Sequence, residues 1–446
     1  MSGPSEGRAR PRILFVALVN DVGIDRVPMA MGALGALCAV LSPPGFYCTT
    51  TRFVSQWFPL PSHHGAWFGI PFLRPRLEAA ARFWKADLIV PLDSVSAQLL
   101  RVLAKSGATS RPLRALLEQS LGSPKGYSAA CSRAGLMTLA AGLDVRMPRF
   151  RSSHDASVLL EAAADWGYPV VLKAENTCGG HGVRIATKPS ELAAATGGLR
   201  GGSAWRRWRT AARETLWSAA GMQETAFAPP MVQDFVPGVP AMRTVSTWQG
   251  QVLEGVSFVA EHVFPVPFGP STMVRHVENE EMATTARRLV AALGCSGFVS
   301  FDFMLDETTG AASLIELNPR PIGTSHLGQV FGHDLCARLL TCVMGQETWH
   351  HPPPVAIPRA PLTKVALFPK EIERNPANLD RLHAVDLHHD VPHDDQGVLD
   401  AYLRRLAGLY PDALPAIIEA IDADGVRRAA RVIADPALEN STGSAL

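Results

Sequence analysis

Apolar and polar positions alternate along the chain in three successive regimes. Ile13–Val19 is apolar throughout, as expected of a strand covered on both faces in a parallel sheet. The Ala-, Gly- and Leu-rich stretch that follows, Pro28–Leu41, predicts a helix. "ADLIVPLDSVSAQLLRVLA" repeats the theme with a strand at Leu88–Pro91, a turn containing Asp93 and an amphipathic helix. This alternation predicts an α/β layer structure over residues 1–120. The middle third differs. "YPVVLKAENTCGGHGVRIA" is strand, glycine-rich turn and strand, which is a hairpin and not a crossover unit. "PMVQDFVPG" and "TVSTWQGQVLEGVSFVA" add strands, and Glu280–Leu293 predicts a helix. "GFVSFDFMLD" and "ASLIELNP" form a further hairpin around "ETTG". "HHPPPVAIPRAP" reads as a proline-rich linker to a smaller α/β tail.

Length and composition narrow the class. A chain of 446 residues exceeds one ordinary core. Hydrophobic content of 47% with 19% charged residues describes a globular protein. A net charge of +1 argues against a molecule-wide nucleic-acid surface. The 7 cysteines form no Cys-x-x-Cys pair, which points to a reducing compartment. The polar N-terminus runs into an apolar segment too short for a signal peptide or membrane span. A cytoplasmic protein without nucleic-acid or membrane partners is expected. No G-x-G-x-x-G follows the first strand, so no dinucleotide site is indicated.

The hairpin holding Asp302 and Glu316 carries the clearest chemistry. A separation of 14 residues (316 − 302) lets the two carboxylates lie opposite each other on one face. Facing acids among Phe301, Phe303, Leu314, Ile315 and Leu317 repel unless a cation sits between them. Asn318 returns to the same face, and the three form an all-oxygen set suited to Mg²⁺ (or Mn²⁺). Arg320 would bring a fixed cation to the same phosphate. In the tail, the acid–histidine run Asp390–Asp395 reads as a solvated turn in preference to a metal cluster.

"DFMLDETTGAASLIELNPRPIG" resembles the metal-binding hairpin of the ATP-grasp superfamily. "YPVVLKAENTCGGHGV" is similar to that family's phosphate strand and loop, and "MVQDFVPG" to its adenine hinge. The resemblance spans roughly Leu121 to Gly345. It implies an α/β ATP-grasp fold with an N-terminal Rossmann-like domain (1–120), a central subdomain (121–235), a C-terminal subdomain (236–350) and a C-terminal extension (351–446). It also implies that Lys173 and the backbone of Thr177, Gly179, Gly180, His181 and Gly182 hold the phosphates of ATP. Gln233, Asp234, Phe235 and Val236 would hold adenine, and Arg133 fills the slot of a nucleotide-binding cation, with Lys125 as the alternative.

The sequence departs from the family in two places. Pro240 stands where many members have a ribose-binding acid, and Ser300 where some have an arginine two residues before the metal aspartate. Arg275 or Arg243, with Arg320, would then serve the acyl-phosphate as catalytic groups. Ala204–Trp217 is open to two readings, an amphipathic helix with buried tryptophans or a basic lid. The activity implied is ATP-dependent carboxylate–amine ligation on an amino acid or small peptide, with a phosphotransferase or a non-catalytic ATP-binding protein as alternatives. Substrates would meet the loops around Asn20–Arg26. A homodimer is an open option.

Overall fold

The computed structural model describes residues 10–61, 70–175, 182–200, 229–345, 363–379 and 386–421. The first apolar run forms β1 (Arg12–Val16), joined by β2 (Leu37–Ser42), β3 (Val54–Pro59) and β4 (Leu88–Pro91). The four strands make a parallel sheet of order β3-β2-β1-β4. The helix expected over Pro28–Leu41 is corrected here. The helix occupies Arg26–Ala33, and β2 takes up the remainder. Gly35, at φ 93°, ends the helix in a conformation that most side chains resist. The run Cys38–Leu41 then inserts beside β1, fully buried, so burial overrides the helix propensity of Ala and Leu. After β4, Asp93 caps the helix Ser94–Lys105 by accepting from Val95 N and Ser96 N at 2.9 Å. The same side chain accepts from Leu18 N at 2.7 Å, tying the exits of β1 and β4 together.

A second, antiparallel sheet of order β5-β8-β6-β7 comprises β5 (Phe150–Ser152), β6 (Val170–Lys173), β7 (Val183–Ala186) and β8 (Met231–Asp234). The third and largest sheet holds β9 (Val239–Trp248), β10 (Gln251–Val263), β11 (Ser271–Val277), β12 (Gly297–Leu305) and β13 (Ala312–Asn318). Two tail strands, β14 (Lys364–Ala366) and β15 (Leu387–His389), extend it to the order β13-β12-β9-β10-β11-β14-β15. The chain passes from β8 to β9 through Gly238. A Cβ there would stand 2.6 Å from the Leu305 carbonyl oxygen, at a φ of +133°. Only glycine lets the backbone pass that close.

Alternation decides which face of the large sheet does what. Val245, Val259, Phe301, Phe303 and Leu314 pack under the helix Glu280–Leu293, which Asn279 caps by accepting from Met282 N at 2.8 Å. Met242, Phe258, Val274 and Phe298 point the other way and share a core with Ile13, Phe15, Val40 and Val90 of the parallel sheet. The exits of β1 and β4 are thereby held against the large sheet, where sites in open α/β layers form. Among the described residues, no helix is long and apolar enough to cross a membrane.

The tail is anchored in a way that corrects the reading of Asp390–Asp395 as a solvated turn. Asp390 is buried; its Oδ1 lies 3.0 Å from His326 Nε2 and its Oδ2 3.5 Å from Arg26 Nη2. Asp395 is fully buried, caps the helix Gln396–Leu409 and accepts from Thr51 Oγ1 at 2.5 Å. Asp394 alone of the two neighbouring acids stays in solvent, 68% exposed. Arg26 also donates to the Phe368 and Asp390 carbonyls, so this residue of the Asn20–Arg26 loop is structural and not free for substrate. Burial alone would raise the Asp390 carboxyl, but Arg26 and then His326 bring it down to about 2. Because the folded value lies below the unfolded one, the stabilisation is complete above pH ~4 and is lost as pH falls from ~4 toward 2. Asp390→Asn is expected to cost about 2 kcal/mol at neutral pH. Urea unfolding at pH 7 and pH 3 checks this, with the gap between parent and variant narrowing at the lower pH.

Candidate functional site

The β12–β13 hairpin builds the site. Asp302 pairs directly with Glu316, and Ser300 with Asn318. The ladder then slips by one residue, for Phe303 pairs with Leu314 and leaves Ile315 as a bulge. This bulge explains how Leu314 can enter the core while Glu316, two residues on, faces the opposite side. It also turns the Ile315 carbonyl toward Lys173, whose Nζ lies 3.4 Å away. Asn318 Nδ2 donates to Asp302 Oδ2 at 3.1 Å.

Cations surround the facing acids. Arg133 Nη2 lies 2.9 Å from Glu316 Oε1, and its Nη1 donates to the Ala174 carbonyl. Lys173 is only 5% exposed. Burial lowers its ammonium to about 8, against the pull of Glu316. Burial, then the Glu316 charge, raise the Asp302 carboxyl to about 7, while Arg320 and Lys173 oppose them. A carboxyl held this high beside a second acid is a donor set short of positive charge. Arg320 is held by Nε donating to Ser94 Oγ at 2.9 Å, at the start of the helix that Asp93 caps. Beside Arg133 and Glu316 lies a small open cleft bounded by Ser94, Gln98, Ser132, Arg133, Glu175, Glu316 and Asn318.

Gln233 lies on β8 opposite Val171, on the same face as Lys173 two residues along β6. Its side chain is 1% exposed and its Nε2 has no hydrogen-bond partner among the described residues, a buried donor still requiring an acceptor. Asp234 is engaged by Arg149 Nε at 2.6 Å, leaving Phe235 40% exposed and Val236 half-buried beyond it. Gly182 closes its loop by accepting from Ala174 N at 2.9 Å. Thr177, Gly179, Gly180 and His181 lie outside the described residues, as does Ala204–Trp217.

Arg243 and Arg275 are not brought to this cleft, a correction to their expected service there. Arg243 pairs with Phe301, and Arg275 lies in register with Val259, Ala241 and Phe303, all on the helix-covered face. Asp302 is out of step by one residue and points the other way. Arg243 donates to Ser257 Oγ at 2.8 Å, and Arg275 is paired with Glu261 and Glu307. Lys125 is exposed. Sequence reasoning missed Glu175, which accepts from Arg133 N and Ala134 N at 3.2 and 3.0 Å and so fixes the helix carrying Arg133. It also missed Lys370, whose ammonium burial lowers, with Asp21 opposing and Arg320 reinforcing the shift. No local pattern marks either residue.

The family model of the ATP-grasp domain matches residues 210–324, and that of the carbamoyl-phosphate synthase L chain ATP-binding domain matches residues 136–203. Over residues 210–324 the chain carries an ATP-grasp domain. No curated protein sequence matches it. Among solved structures, the biotin carboxylase domain of Hydrogenobacter thermophilus 2-oxoglutarate carboxylase, in complex with MgADP and bicarbonate, superposes with a TM-score of 0.53 at 15% identity, covering 76% of this chain and 71% of that one. N5-carboxyaminoimidazole synthetase from Staphylococcus aureus with ADP gives 0.53 at 12% identity, over 76% and 79%. An L-amino acid ligase from Bacillus licheniformis gives 0.50 at 16% identity, over 75% of each chain. At these identities the likeness is one of ATP-grasp fold.

Proposed function

We propose that this ATP-grasp protein is an ATP-dependent carboxylate–amine ligase that forms an amide or peptide bond and releases ADP and phosphate. The gathering of Asp302, Glu316, Lys173 and Arg133 around one hairpin carries the reading. Asp302, Glu316 and Asn318 would hold Mg²⁺ or Mn²⁺, and the unpartnered Gln233 amide with the Asp234–Val236 backbone would hold adenine. The cation, when bound, screens the charge of the triphosphate. Lys173 adds a positive charge in a buried setting where it is poorly screened by water. Arg320 and Lys370 would orient the anionic acceptor, an amino acid or small peptide carboxylate.

The substrate carboxylate oxygen attacks the γ-phosphorus and ADP departs, leaving an acyl-phosphate. The amine nitrogen then attacks the acyl carbon, loses a proton and expels phosphate. Positioning and electrostatics dominate the phosphoryl step. The similar structures are named for biotin carboxylation, N5-carboxyaminoimidazole synthesis and L-amino acid ligation, and the last is the chemistry assigned here. An ADP-release screen over pairs of amino acids and small carboxylic acids tests the proposal, with mass spectrometry of the products. ADP release that requires both partners, with a product lighter than their sum by one water, is expected. Phosphorylated acceptor with no amine consumed would identify a phosphotransferase instead.

A further inference from the structure

Cross-strand pairing lines up Asp302, Met242, Phe258 and His276 in one row on one face of the large sheet. Met242 and Phe258 are core residues, so they insulate the row's two polar ends from each other. Three inter-strand steps of about 4.8 Å put His276 roughly 14 Å from Asp302. At the His276 end, a separate group of ligand-type side chains gathers. His276, Glu278 and His333 each present one donor atom, and these atoms lie within 4.8 Å of one another.

The pairwise geometry is specific. His276 Nε2 lies 3.3 Å from Glu278 Oε1, yet it is buried and makes no hydrogen bond among the described residues. His333 Nε2 lies 3.6 Å from the same oxygen. A tetrahedral metal with bonds of about 2.0–2.1 Å has ligand–ligand edges of about 3.3–3.4 Å, so the His276–Glu278 edge already has metal-site dimensions and the His333–Glu278 edge, at 3.6 Å, is slightly longer. His333 Nδ1 lies 3.1 Å from Glu254 Oε1. The tautomer protonated at Nδ1 donates to that carboxylate and leaves the Nε2 lone pair facing Glu278 and His276. This carboxylate–histidine arrangement is the usual outer support of a metal-bound imidazole. The His276 ring is fixed by stacking on Phe331, centroids 4.5 Å apart and planes 11° apart. Burial lowers its pKa, which favours the neutral, ligating form.

We propose that His276, His333 and Glu278 form a second metal site, for a divalent transition ion of the zinc class, with Glu254 orienting His333. Two imidazoles and one carboxylate suit zinc, whereas the all-oxygen set of Asp302, Glu316 and Asn318 suits magnesium. The two sites therefore differ in chemistry as well as position. Glu278 is 73% exposed, so the fourth coordination position opens to water. Occupancy would join the end of β11 to the loop leading into the helix Leu335–Met344.

The test uses the full chain, stripped with chelator and kept in millimolar magnesium to fill the oxygen-rich site, then titrated with zinc alone. One equivalent is expected to bind. Glu278→Gln, at an exposed position, is expected to melt like the parent and to weaken zinc binding about 10–100-fold. His333→Gln should abolish stoichiometric binding, and Glu254→Gln should weaken it about 10–100-fold. Cobalt in place of zinc should give the visible absorption of a four-coordinate ion, absent in His333→Gln. Zinc affinity unchanged in both Glu278→Gln and His333→Gln, or lost in Glu316→Gln instead, overturns the proposal.

Discussion

Glu316→Gln is expected to reduce ATP turnover by at least about 10³-fold while leaving the melting temperature within a few degrees of the parent. The substitution keeps the shape of the side chain and removes one of two negative charges that face each other across β12 and β13. A divalent ion held by two carboxylates and an amide would then face one carboxylate, and the charge on the transferring phosphoryl group would be poorly balanced. Losses of this size follow removal of a single group that stabilises transition-state charge. The fold should tolerate the change because Glu316 is 28% exposed and the core side chains Phe301, Phe303 and Leu314 lie on the opposite face. Manganese binding followed by electron paramagnetic resonance separates a metal defect from a general one. Turnover equal to the parent's would sink the metal assignment.

Lys173→Met is expected to raise the KM for ATP by about 10²-fold and to lower kcat as well. Its ammonium sits on β6, buried, within reach of the Ile315 carbonyl that the bulge exposes. With burial holding this group at about 8, the free enzyme loses the charge as pH rises through that value. The charged form is the one that would bind phosphate under this assignment. In saturating magnesium, which keeps Asp302 ionised, the parent's affinity for ATP is therefore expected to fall between pH 7 and pH 9, and the variant's to stay flat over that interval. A nucleotide-binding titration at three pH values reads this directly. A parent curve as flat as the variant's would remove Lys173 from the phosphate site.

Local pattern and long-range placement contributed differently to these assignments. Strand Leu88–Pro91 and helix Glu280–Leu293 have the bounds that periodicity predicts, because each is delimited by its own cap or turn residues. The facing of Asp302 and Glu316 was legible because one short turn connects their strands, so few registers are available to the pair. The Pro28–Leu41 expectation failed where composition favoured a helix but a place beside β1 was open to the second half of the run. Arg243 and Arg275 failed for want of the register that sets their face. The Ile315 bulge left no sequence mark, yet it determines that Glu316 and Leu314 point apart.

The chain by itself determined the local elements, the paired acids and the order of the nucleotide-type motifs, since each depends on residues within a few turns or one hairpin of each other. Only the tertiary structure decided which cations reach those acids, that Asp390 is a buried anchor, and that His276, Glu278 and His333 meet. Arg133 contacts Glu316 across 183 positions and His326 contacts Asp390 across 64. Contacts of that span are set by how sheets pack and which face each strand presents, and no local periodicity encodes them.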